Sequence, residues 1–284
     1  MPVWKTAAIV GAGLIGASLG MALRERKLAQ RVIGIGRRPE SLAQARARGA
    51  VDETTTDLAA GVREAELVVI CTPVAAISQH VGEVAAAAPA GAVITDAGST
   101  KSQILAEIAA RSGRLGSEVH FVGSHPLAGS EKTGPGAARA DLFAGKVAIV
   151  TPVASSQPAA VAMVERMWSE VGARVMRMDP EEHDRVLGAT SHLPHLVAAA
   201  LAAATPPELL GLTGAGWLDT TRIASGDPDL WRQIYLANRG HSLRALADFE
   251  RVLSRWRAAL EAGDGSLLLA LLQEGKQIRD AVGS

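Results

Sequence analysis

From its start to Met178 the chain alternates short apolar runs with longer stretches whose apolar positions recur at helical spacing. Such runs suit strands covered on both faces, as in a parallel sheet, where side chains of either orientation are buried. The predicted strands are 7–10, 32–35, 67–71, 93–95, 119–123, 147–150 and 174–178. Glycines after Val10 open a helix that runs to Arg26. Pro39 begins another that stops near Gly49, with proline early and glycine late as helix ends prefer. Strand and helix in alternation predict an α/β fold with a doubly wound sheet.

After Asp179-Pro180 the pattern changes. Residues 181–204, 230–260 and 267–282 are predicted helices, and no further strand is expected. Ala198, Ala199, Ala200, Ala202 and Ala203 let helices pack closely. Residues 1–179 are therefore expected to form the α/β domain, and residues 180–284 an all-helical domain shared between subunits of a homodimer. Gly, Pro and charge are expected to interrupt the Ala-rich segments, so none is predicted to span a membrane. The apolar run 7–23 after Lys5 has the look of a signal peptide, but its three glycines at nucleotide-loop spacing argue otherwise. A soluble, cytoplasmic protein is the expectation.

Composition narrows the picture. Hydrophobic residues make up 48% of the 284 and charged residues 20%, enough for a substantial core. Lys plus Arg and Asp plus Glu are equal at 29 each, so nothing in the bulk charge attracts nucleic acid or an anionic membrane. Cys71 is the one cysteine, which excludes an intrachain disulfide. No metal site is expected: His192 and His195 are spaced for one helix face, but no third ligand accompanies them.

Gly11-Ala12-Gly13-Leu14-Ile15-Gly16 follows the first strand and opens the first helix, the context in which this glycine spacing binds a dinucleotide. Gly11 permits the turn, Gly13 lets backbone approach a pyrophosphate, and Gly16 lets helix and strand pack. Leu14 and Ile15 lie in the loop, and Cys71, Thr72 and Pro73 at the end of the third predicted strand join the cofactor group. The first domain is thus expected to be of Rossmann type. An NAD site usually has Asp or Glu at the end of the second strand; here stands Gly36-Arg37-Arg38. Two guanidiniums can pair with a 2′-phosphate, which points to NADP over NAD.

Later motifs carry more. Asp96-Ala97-Gly98-Ser99-Thr100-Lys101, the run from Gly123 to Lys132, Ser191-His192-Leu193-Pro194-His195 and Asp219-Thr220-Thr221-Arg222-Ile223-Ala224 follow the glycine loop in order. Together they resemble the prephenate/arogenate dehydrogenase family of tyrosine biosynthesis, over nearly the whole chain. The resemblance implies oxidation of a ring hydroxyl by hydride transfer to a nicotinamide, with loss of the ring carboxylate as carbon dioxide. It implies His125 as general base, with Ser99 orienting it beside the nicotinamide. It implies Arg222 as a carboxylate clamp, and Ser124, Ser130, Glu131, His192 and Trp231 as further substrate residues. The residues themselves agree in part: Ser99 and His125 each follow a predicted strand, where open sheets bind ligands, and a histidine can act as base near neutral pH. His183 and His195 are read as support for the fold. Cys71, with nothing near it to activate a thiolate, is read as packing.

Prephenate is the expected substrate and arogenate the alternative. A β-hydroxyacid dehydrogenase or imine reductase of the same two-domain plan would rely on a catalytic lysine or aspartate in the helical domain, for which no motif is seen. A nucleotide-sensing protein without chemistry would have no use for His125, Ser99 and Arg222 together.

Overall fold

In the computed structural model, residues 3–111, 119–129 and 132–282 are described. Ser130 and Glu131, two of the expected substrate residues, lie outside them. The strands are β1 (Trp4–Val10), β2 (Ala29–Ile35), β3 (Glu53–Thr55), β4 (Leu67–Ile70), β5 (Val93–Asp96), β6 (His120–Pro126), β7 (Val147–Thr151) and β8 (Arg174–Arg177). Helices α1 (Leu14–Glu25), α2 (Pro39–Ala47), α3 (Leu58–Val62), α4 (Val74–Ala87), α5 (Ser102–Arg111) and α6 (Pro158–Glu170) alternate with them. The strands form one sheet in the order β3-β2-β1-β4-β5-β6-β7-β8. It is parallel from β3 to β6, β7 runs antiparallel to β6, and β8 is parallel to β7. The sequence pattern missed β3, because Glu53-Thr54-Thr55 is a polar strand at the sheet edge and leaves no apolar run to find.

Alternation along the strands sends side chains to two separate cores. Ile9, Val69 and Val150 join Leu19, Leu23, Phe143 and Trp168 on the α1/α6 face. Val10, Val68, Ile70 and Ile94 join Ile77, Val81 and Ile104 on the α4/α5 face. The order reverses between β1 and β4, and at that point the strand carboxyl ends open a crevice.

Helices follow: α7 (Pro180–Leu187), α8 (Leu193–Ala204), α9 (Ala215–Thr221), α10 (Pro228–Ala237), α11 (Arg239–Ala262) and α12 (Gly265–Ala281). Among the described residues no strand follows β8. A π-helical turn, Gly188–His192, joins α7 to α8, so Pro180–Ala204 is continuous helix. The expected interruption by Gly and Pro does not occur: this run is long and apolar enough to cross a membrane, with an 18-residue stretch whose mean hydropathy is 1.4. Its polar residues His183, Asp184, His192 and His195 are nevertheless buried in the protein. The predicted helix 230–260 is broken at Asn238, a buried residue between α10 and α11.

The chain divides into two compact units, Met1–Asn238 and Arg239–Ser284. Helices α7 to α10 thus belong to the same unit as the sheet. The second unit is α11 packed with α12, tied by Arg255 to Glu274 at 2.9 Å and turned at Gly263, whose φ is +61°.

Candidate active site

At the switch point the three glycines do different work. Gly11 has φ +96°, and a Cβ there would lie 2.8 Å from the Cys71 carbonyl oxygen. At Gly16 a Cβ would meet the Gly11 carbonyl oxygen at 2.2 Å, so α1 approaches β1 only because that atom is missing. Gly13, by contrast, faces open space. It is the N-cap of α1 and no side chain caps that helix, leaving its first N–H groups and positive dipole end for an anion. These residues fit a dinucleotide pyrophosphate.

The open space belongs to a cavity of about 550 Å³ lined by Gly13, Leu14, Ile15, Cys71, Thr72 and Pro73 at one end. Ser99, His125, Arg222 and Trp231 line it further along. The first group is six of the expected cofactor residues, with Gly11, Gly16, Arg37 and Arg38 outside the lining, and the second holds four of the expected chemical residues. Burial, with Asp96 nearby, pushes the Cys71 thiol far up, so it stays protonated and acts as packing. Arg37 and Arg38 are exposed beyond the end of β2.

A second cavity, of about 770 Å³, shares Ser99, His125, Leu230 and Trp231 with the first. Thr190, Ser191, His192, Arg139 and Lys146 complete its polar wall. His125 therefore stands where the two cavities meet. The sequence did not mark Arg139 or Lys146, which sit in a loop segment with no motif around them.

His125 heads a chain of three buried groups. His125 Nδ1 is 2.9 Å from His183 Nε2, and His183 Nδ1 is 2.8 Å from Asp184 Oδ1. Asp184 also accepts from the backbone N–H groups of Lys101 and Ser102 at 2.8 and 2.9 Å, where α5 begins. Burial alone would raise its carboxyl, but the His183 hydrogen bond and those two N–H donors outweigh it and hold it below the usual carboxylate range. The ionised carboxylate accepts a hydrogen bond from His183 Nδ1–H, so His183 Nε2 carries a lone pair that accepts from His125 Nδ1–H. His125 Nε2 is left bare. Burial, then His183, Lys101 and His192, push His125 well below the ordinary imidazole range, so the ring is neutral at neutral pH. A neutral imidazole with a free Nε2 is the form a general base needs.

His183 thus does more than support the fold. Sequence reasoning missed its link to His125 because the two are 58 residues apart on different elements. Ser99 lines both cavities with His125, while the Nδ1 partner of His125 is His183 rather than a serine. Ser124 is corrected. Successive strand residues face opposite sides, so with His125 toward the cavities Ser124 points inward. Its hydroxyl donates to the Asp96 carbonyl at 2.6 Å and accepts from Trp168 Nε1–H at 2.9 Å, and it lines neither cavity. Beside it, buried Lys101 pairs with buried Asp96 and donates to the Ser124 carbonyl at 2.8 Å, fixing the backbone that presents His125.

The helical wall is built by α8 and α10. His195 stacks on Trp231 with ring centroids 3.6 Å apart, and its Nδ1 lies in hydrogen-bond contact with the Tyr235 hydroxyl at 3.1 Å. Trp231 is thus held flat against a neighbour while it lines both cavities. No group of three or more His, Cys, Asp or Glu among the described residues could hold a metal ion.

A doubly wound sheet with a glycine loop at its switch point, and a neutral imidazole on the wall of the same cavity, define a nicotinamide-dependent dehydrogenase. Residues 19–177 match the family model described as prephenate dehydrogenase, nucleotide-binding domain, and residues 179–274 the one described as prephenate dehydrogenase, dimerization domain. The chain belongs to the prephenate dehydrogenase family. It is 34% identical to the cyclohexadienyl dehydrogenase of Zymomonas mobilis, over 99% of this chain and 97% of that one. The crystal structure of Aquifex aeolicus prephenate dehydrogenase in complex with hydroxyphenyl propionate and NAD+ superposes with a TM-score of 0.89 at 32% identity, covering 98% of each chain. Synechocystis arogenate dehydrogenase superposes at 0.80 and 28%, covering 98% of this chain and 100% of that one.

Proposed function

We propose that the protein converts prephenate to 4-hydroxyphenylpyruvate, by oxidative decarboxylation, in the synthesis of tyrosine. The observation that carries this reading is the chain Asp184–His183–His125, which leaves a neutral His125 with a bare Nε2 at the meeting of the two cavities. His125 takes the ring hydroxyl proton. The positive charge it gains is stabilised through His183 by the Asp184 carboxylate, which stays ionised. The nicotinamide, when bound, supplies the acceptor for the hydride. Ser99 borders both cavities and orients the reacting ring at that acceptor. Arg222 holds a carboxylate of the substrate as a charge-assisted pair, and Glu131, Ser130 and His192 complete the substrate contacts. Loss of carbon dioxide makes the ring aromatic, so the protein's main task is alignment.

Arogenate is the second reading, supported by the likeness to an arogenate dehydrogenase of known structure. NADP is proposed over NAD because β2 ends without a carboxylate and is followed by Arg37 and Arg38. Residues 180–284 are proposed to act as one substrate and dimerisation domain of a cytoplasmic homodimer. The match to a dimerization-domain model and the exposed Leu243, Leu253, Leu260, Leu269 and Leu272 support this.

A steady-state assay of two ring acids against two cofactors tests the activity. Turnover of prephenate with NADP is expected to be the most efficient of the four. Absence of turnover in all four would sink the reading, and a preference for arogenate would move it to the alternative. Arg222→Ala is expected to raise KM by removing a contact worth about 1.5–3 kcal/mol, and an unchanged KM would take Arg222 out of the site.

A further inference from the structure

One residue, Asp184, stands behind both imidazoles of the second cavity. Its carboxylate acts through His183 on His125. Its backbone carbonyl acts on His192 through Asn238. The Asn238 Nδ2 atom is 2.7 Å from the Asp184 carbonyl oxygen and 3.1 Å from His192 Nδ1. A backbone carbonyl only accepts, so the atom facing it must be the NH2 group, and the flipped amide is excluded. The same NH2 donates to His192 Nδ1, which is therefore the unprotonated nitrogen. The proton of a neutral His192 then sits on Nε2, at the opposite edge of a ring that lines the cavity.

We propose that Asn238 is a positioning residue that fixes His192 as a hydrogen-bond donor to an acceptor oxygen of the bound acid, in the tautomer opposite to that of His125. The role toward the acid rests on the activity proposed above, whereas the tautomer itself does not. The surroundings leave Asn238 little choice of orientation. It is buried at the end of α10, and its amide replaces the continuation of a helix that the sequence pattern carries straight on. His192 is also held from its backbone: the Tyr235 hydroxyl donates to its carbonyl at 3.2 Å. The Trp231 ring meets the His192 ring edge-on at 6.2 Å. The two histidines thus present different chemistry to one cavity. His125 offers a lone pair and can take a proton, while His192 offers N–H and cannot compete for it. With the opposite tautomer, a lone pair of His192 would face a substrate oxygen and repel it.

The test is long-range 1H–15N correlation NMR of the full chain carrying 15N-histidine, in the absence of substrate. His192→Gln and His125→Asn identify the two ring signals. The expected spectrum has His192 protonated at Nε2 and His125 protonated at Nδ1. Asn238→Asp places a carboxylate oxygen against His192 Nδ1 and is expected to move the proton there. With it, KM for the ring acid should rise at least tenfold while cofactor affinity is unchanged. A wild-type His192 protonated at Nδ1 overturns the proposal, whether or not the Asn238 variant folds. So does a folded Asn238→Asp protein with the wild-type tautomer and KM. If the spectrum is as expected but neither ring acid turns over, the proposed activity fails while the tautomer stands.

Discussion

A histidine that must take a proton at neutral pH has to be uncharged there, and the surroundings of His125 enforce this. It is buried, and His183, Lys101 and His192 all oppose a positive charge on it. Protonation of the free enzyme should therefore occur below the ordinary imidazole value of about 6.5. kcat/KM is expected to stay level from neutral pH down through that value and to fall only at lower pH. An acid limb centred at or above it would show that the ring is not insulated as described. His125→Asn should lower kcat by roughly 10²–10⁴ with cofactor affinity little changed, and full activity in that variant would remove it as the base. At the other end of the crevice, replacing Arg37 and Arg38 by Ala should weaken NADP more than NAD in a binding titration. Equal weakening of both would mean that the arginines do not touch a 2′-phosphate.

At the scale of elements, what could be found from the sequence was what a local pattern encodes. The apolar runs of β1, β2, β4, β5 and β7 and the turn at Gly11 are local, and so is the position of His125 after the apolar run of β6, near that strand's end. Strand β3 left no apolar signal, and the break at Asn238 was invisible because Leu230 to Leu260 keeps helical spacing across it. The His125–His183–Asp184 chain needed the third dimension, since α7 must lie against α5 and β6 before its residues meet. The same holds for the pair Asp96 and Lys101. Both are fully buried, and Asp96 further accepts from the N–H groups of Gly98 and Ser124 at 2.8 and 3.1 Å. Lys101 thereby clasps the β5–α5 loop to β6. Lys101→Met strands the Asp96 carboxylate in the interior and should cost about 3–5 kcal/mol in urea unfolding. A loss under 1 kcal/mol would mean that water reaches Asp96 or that the pair is not closed in solution.

Three buried histidines, His125 on β6, His183 on α7 and His195 on α8, tie the stability of the whole molecule to pH. The free-base forms of His125, His183 and His195 are favoured by the fold, in each case first through burial. The unfolded chain therefore binds more protons than the folded one as pH drops below about 6.5, the unperturbed imidazole value. Stability is fully present above that pH and is lost as pH falls toward the folded-state values. For His125 and His183 the slope approaches about 1.4 kcal/mol per pH unit each while only the unfolded state is protonated. Asp184 works in the same direction but lower down, because a depressed carboxyl gives up its contribution only below the ordinary carboxylate value. The loss between neutral pH and pH 5 thus belongs to the histidines. Thermal unfolding at one fixed protein concentration should show Tm falling steadily from pH 7 to 5. His183→Gln, which carries no titrating ring, should flatten that fall while lowering Tm at neutral pH. A Tm independent of pH across this range, in both proteins, would mean that the imidazoles are solvated and that the buried chain behind the base does not form.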